Sequence, residues 1–119
     1  MNNPTLAPAP VDALLQQLFD LDTERQAATE AGIPALIRLA DVADRDTGQA
    51  NTVRGFLLGL YNGYHFPFNL VRLRGLDKVL FDDCMAVLTL DARATAKEIH
   101  QYLGDGGDRF VRWAQGGAA

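Results

Sequence analysis

Leu76-Asp77-Lys78-Val79-Leu80-Phe81-Asp82-Asp83-Cys84-Met85-Ala86-Val87-Leu88-Thr89-Leu90 decides the fold class of this chain. Its apolar residues fall on nearly every side of the helix that the spacing predicts. Two adjacent carboxylates, Asp82 and Asp83, sit in its middle. A helix apolar all round is usually a buried one. A carboxylate within it then needs a partner, because an unpaired buried charge is costly. The stretch predicts an all-α protein: a single compact domain of five or six helices around a central buried helix at about 77–90.

Working outward, Asp77 is well placed near the N-terminus of that helix, where its charge suits the macrodipole. Upstream, Asn69 is positioned to cap a short turn from Leu70 to Leu73, closed by Gly75. Before it lies an aromatic loop, Asn62 to Phe68. Asp46 and Gln49 have the spacing of a capping box for a helix reaching Tyr61, with Val53, Phe56, Leu57 and Leu60 on its inner face. Gly32-Ile33-Pro34 reads as a break, with Pro34 opening a helix that runs to about Asp44. Val11 to Leu21 carries a helical stripe at 11, 14, 15, 18 and 19. Thr23 to Ala31 is a weaker segment that could continue it. Downstream, Thr95 and Glu98 suggest a capping box for a helix ending at Gly104. Asp105 suggests a cap for a last helix carrying Phe110, Val111 and Trp113. No run alternates with period two, so no sheet is expected. The expected organisation is a disordered Pro-rich tail over 1–10, one helical domain over 11–115, and a frayed end over 116–119.

The 119 residues suit one domain with a core that needs neither disulfide nor metal. Cys84 is the only cysteine, which excludes an intrachain disulfide and suggests a reduced, cytoplasmic setting. No secretory signal and no apolar run of membrane-spanning length is visible. The net charge is −4, and residues 1–45 hold all of it, with seven acids against three bases. Such a balance disfavours general nucleic-acid binding, which needs clustered Lys and Arg.

From Asp46 onward an ordered set of residues stands out: Asp46-Thr47-Gly48-Gln49, Val53, Phe56-Leu57-Leu58, Asn62, Phe68-Asn69-Leu70, Leu73, Leu76-Asp77, Asp82-Asp83 and Trp113. In these the chain resembles a family of small uncharacterised proteins, a domain of unknown function found on proteobacterial plasmids and integrative elements. The resemblance covers about residues 36–113. It departs at Leu60 and Tyr61, where the family tends to carry paired tryptophans, and at Asn69, where an aspartate is usual. The resemblance implies a setting on mobile DNA and no mechanism.

Among residues that could carry chemistry, Asp82 pairs with Lys78 at i,i+4 spacing on what should be the solvent edge. Asp83 faces inward, and Arg54 is its expected partner in a structural ion pair. The two carboxylates point roughly 100° apart and cannot jointly grip one small substrate. His65 and His100 lack ligand spacing, and a metal site would need both to meet Asp82 or Asp83. Cys84 beside Asp83 is disfavoured as a nucleophile. Gly104 to Asp108 lacks the Lys-Ser/Thr of a phosphate loop. No catalytic, cofactor-binding or metal-ligating residue, and no cofactor, is therefore expected.

The best recognition surface on sequence is Tyr61, Tyr64, Phe66 and Phe68, with Arg72 and Arg74 beside them. It could plug the core or expose an apolar patch to a protein partner or a second copy. These features favour a non-enzymatic interaction protein, an accessory factor of a mobile element acting in the cytoplasm. The alternative is a nucleic-acid-binding regulator using Arg72, Arg74 and Lys78 with the neighbouring aromatics.

Overall fold

Gly32-Ile33-Pro34 does not break the chain. In a computed structural model describing residues 10–116, one helix, α1, runs through it from Pro10–Ala43. An interior proline costs about 3 kcal/mol in lost hydrogen bonding and ring clash. Two features offset that cost. Glu30, whose carbonyl loses its donor, is exposed along with Pro34, so water can reach this side of the helix. The opposite side buries Ala28, Gly32, Ala35, Leu36, Leu39, Ala40 and Ala43. The expected tail therefore gives up Pro10 to the helix, while residues 1–9 and 117–119 lie outside the described residues.

Three further α-helices follow: α2 (Gly48–Tyr61), α3 (Lys78–Arg93) and α4 (Gly106–Ala114). Two 3-10 segments, Leu70–Gly75 and Ile99–Tyr102, join them. No strand occurs among the described residues, and the all-α expectation holds.

The helix read at 77–90 is α3, with Asp77 as its N-cap accepting from the Leu80 amide at 3.0 Å. It lies antiparallel on α1. Arg93 meets Glu24 at one end, Leu90 meets Gly32, and Asp83 meets Arg38. Its burial is one-sided, through Asp83, Cys84, Val87 and Leu90. Val79, Phe81 and Leu88 remain exposed, so apolar residues all round did not mean burial all round. Gly32 is what lets the helices approach: a Cβ there would stand 2.5 Å from the Leu90 Cβ.

Helix α2 crosses this pair and supplies Val53, Phe56 and Leu57 to the core, which α4 closes with Phe110 and Trp113. The cap of α2 is Thr47, whose hydroxyl accepts from the Ala50 amide at 3.0 Å, and not Asp46. Gln49 is thereby free to reach across and accept from the Asp77 amide at 2.8 Å, joining the starts of α2 and α3. The expected Thr95–Glu98 box is likewise displaced. Glu98 opens a single 3-10 turn with Gln101 completing its box, while the Thr95 hydroxyl donates back to the Asp91 carbonyl. Asn69 caps the Leu70–Gly75 segment as expected, accepting from the Val71 amide at 3.0 Å. Asp105 precedes α4 without a side-chain capping bond, lying 3.6 Å from Arg109 instead.

Candidate interaction surface

The first residue of α1 to be buried is Ala28. Glu24, paired with Arg93 at 3.0 Å, marks where α3 runs out. The helix continues beyond that point as an arm over residues 10–23, about 21 Å long at 1.5 Å per residue. Val11, Leu14, Leu15, Leu18, Phe19 and Leu21 on it are each 44–65% exposed. A contiguous exposed apolar stripe of this kind marks an interaction site more often than a scattered exposed leucine does.

The arm's stripe continues the buried face of α1. Val11, Leu14, Leu18 and Leu21 follow alternating spacings of three and four residues. The same alternation passes through Arg25 to Ala28, Gly32, Ala35 and Leu39. Such a heptad seam is the pattern of helices that pair along their length. Over its C-terminal part α3 and the core cover the seam. Over the arm no described residue buries it. The sequence carried this signal, since the alternation crosses Pro34 unbroken. The stripe at 11, 14, 15, 18 and 19 is legible in the residue order, whereas its exposure is set by where α3 ends.

The loop expected to recognise a partner divides in two. Phe68 packs edge-on against Phe56, with ring centroids 5.8 Å apart, and Phe66 joins the same cluster. Gly55 and Gly59, one turn apart on α2, make the groove that seats them. A Cβ at Gly59 would stand 3.1 Å from the Phe68 Cβ, and one at Gly55 would stand 2.7 Å from Arg72. The Arg72 guanidinium lies 5.2 Å from the Phe68 ring centroid, a cation–π contact. Tyr61 stacks edge-on with His100 at 5.0 Å and leans on Phe110. Tyr64, fully exposed, and Arg74 stand out towards solvent, and Tyr61 keeps 38% of its surface in water. Between the loop and α3 remains an apolar depression of about 220 Å³, lined by Phe56, Leu60, Phe68, Leu70, Met85 and Leu88.

The ion pair expected between Arg54 and Asp83 is not formed. Arg38 takes Asp83 with both arms of its guanidinium, Nε at 3.1 Å and Nη2 at 2.9 Å. Arg54 instead donates to the carbonyls of Ala43 and Arg45 at 2.7 and 2.6 Å. It closes the C-terminus of α1, where a cation suits the dipole. Arg38 lies opposite Asp83 because α1 and α3 pack antiparallel, a placement that helical spacing alone does not specify. Lys78 and Asp82 do pair, at 2.6 Å.

Asp44, unremarked in the sequence, is the most connected acid. It accepts from Trp113 Nε1 at 2.9 Å, Arg109 Nη2 at 2.8 Å and Arg112 Nη2 at 3.0 Å. Burial acts to raise its pKa, but these three donors outweigh it and hold the carboxyl below its ordinary value. Cys84 is fully buried, and burial with Asp83 alongside pushes its thiol up to about 12. Among the described residues no three His, Cys, Asp or Glu side chains converge as a metal centre would need. No helix among them is long and apolar enough to cross a membrane.

These elements, from the Pro34 turn of α1 through Trp113, coincide with a family model that matches residues 33–117. The chain belongs to DUF7673, a family of unknown function. The DUF7673 match starts directly after Gly32, so it takes in the α2–α3–α4 body and leaves the arm outside it. No match was found among curated proteins or among solved structures.

Proposed function

We propose that this protein is a non-enzymatic interaction module in which the DUF7673 body anchors a helical arm that engages another protein chain. The single observation behind this reading is the stripe Val11, Leu14, Leu15, Leu18, Phe19 and Leu21, left in water on a helix whose equivalent face is otherwise covered. An amphipathic helix laid into an apolar groove or against a second helix is a common mode of recognition. The resemblance of residues 36–113 to proteins of proteobacterial plasmids and integrative elements supports an accessory role on a mobile element.

The arm displaces the aromatic loop as the leading surface, because Phe66 and Phe68 are spent on internal packing and only Tyr64 is fully offered. A phosphate-binding role draws less support. Of its three cations, Arg72 is engaged over Phe68 and Lys78 with Asp82.

The test is affinity capture from the native host with the intact protein, Leu14→Glu/Leu18→Glu and Tyr64→Ala, each binder then being remade pure and rebound. The arm variant should lose binding and Tyr64→Ala keep it. Full binding by the arm variant would overturn the assignment.

A further inference from the structure

We infer that the arm's occupant is a second copy of this chain, paired with it antiparallel about a two-fold axis near Gln16. This inference rests on the interaction-module reading above and specifies its partner.

Three observations carry it. The first is that the arm's seam is self-complementary. Val11 and Leu21 lie equally far from residue 16, as do Leu14 and Leu18. Reversing the helix therefore brings Val11 opposite Leu21 of the second copy and Leu14 opposite Leu18 of the second copy. A two-fold interface requires this reciprocity. Leu15 and Phe19 fall outside this symmetry, level with Gln17 and Ala13 of the second copy.

The second is charge. The arm carries Asp20 and Asp22 towards its body end, Asp12 near its tip, and no base, while Glu24 beyond it is already paired with Arg93. Parallel pairing would set the acids of both copies side by side. Antiparallel pairing sets Asp20 level with Asp12 of the second copy, both away from the seam, and parts Asp22 from its counterpart. Asp22 then stands level with Pro10 of the second copy. Asp22 projects from the apolar side of the arm and closes the seam at Leu21. In the antiparallel register it falls just past the last apolar layer, where it costs nothing.

The third is extent and continuity. The six side chains, with roughly 100 Å² of each in water, offer on the order of 600 Å² per copy. That is close to the lower bound for a specific interface, of about 1,200 Å² in total. The seam is also the direct extension of the one α3 covers, where α3 already runs antiparallel to α1. The second copy's arm takes up the role of α3 where α3 ends.

A seam at that lower bound suits a weak, reversible dimer, to be followed from low to high micromolar concentration. Sedimentation velocity on the full chain should show the mass rising from monomer to dimer across that range. Leu14→Glu/Leu18→Glu should remain monomeric, with Trp113 fluorescence unchanged to certify the body. For the register, Leu14→Cys and Leu18→Cys should form a mixed disulfide when combined, in preference to either disulfide alone. The buried Cys84 stays out of this chemistry.

Preferential Leu14→Cys self-linkage would overturn the antiparallel geometry, and a monomer up to high micromolar concentration would overturn the dimer. A monomeric protein whose arm variant still loses a captured partner would end the second-copy inference and leave the module reading standing. If arm variants changed neither mass nor capture, both would fall.

Discussion

The indole Nε1 of Trp113 donates a 2.9 Å hydrogen bond to Oδ1 of Asp44, fastening the last helix of the chain just past the end of the first. Arg109 and Arg112 complete the clasp from the same helix. Because α4 is only nine residues long, it depends on tertiary contacts rather than on its own propensity. Asp44 is accordingly the hinge pin of the C-terminal third.

The clasp makes α4 acid-sensitive. The folded-state pKa of Asp44 is depressed below its unfolded value of about 3.9. Its stabilisation is therefore complete above the unfolded value and is lost as pH falls through the folded one. Trp113, the only tryptophan, should report this as a red-shifted emission below about pH 4. Asp44→Ala should cost about 2–3 kcal/mol at pH 7 in urea unfolding and flatten the acid dependence. A variant as stable as the parent would remove the clasp.

Gly32→Ala tests the α1–α3 contact. Alanine in a helix interior gains up to about 1 kcal/mol over glycine. Here the added Cβ meets Leu90 at 2.5 Å and the Ala86 carbonyl oxygen at 3.1 Å, with overpacking worth about 1–3 kcal/mol. A net loss in thermal stability is expected, larger still for Gly32→Val. Gly48, with nothing within 4 Å, is the control whose alanine should bring no such loss.

Cys84 should resist aromatic disulfide reagents at pH 8 in the native protein and react fully in urea. Its thiol is pushed up to about 12, leaving almost no thiolate, and its side chain has no access to solvent. Prompt reaction under native conditions would contradict the packing of α3.

The aromatic loop should show two behaviours within five residues. Phe68→Ala empties the Gly55/Gly59 groove and should cost about 2–4 kcal/mol. Tyr64→Ala removes a fully exposed ring and should change stability by no more than about 0.5 kcal/mol. Chemical denaturation of the two variants distinguishes them directly, and equal effects would mean the loop is seated otherwise.

Much of the architecture was legible in the residue order because it is set by local chemistry. The spacing of Leu76 to Leu90, the capping by Asp77 and Asn69, and the Lys78–Asp82 pair all act within a few residues of themselves. A single cysteine in an apolar run was enough to mark a packed side chain, and Cys84 is buried. Tertiary packing decided the rest. Whether Pro34 started a helix or sat inside one depended on whether packing of Ala28 and Gly32, on its N-terminal side, against other elements offset a cost of about 3 kcal/mol. The unbroken helix carries Val11 to Leu21 past the end of α3 without cover, while packing between helices set Arg38 against Asp83 and Arg54 on the end of α1. Periodicity says which side of a helix is apolar, but where α3 ends is what determines how much of that side meets water.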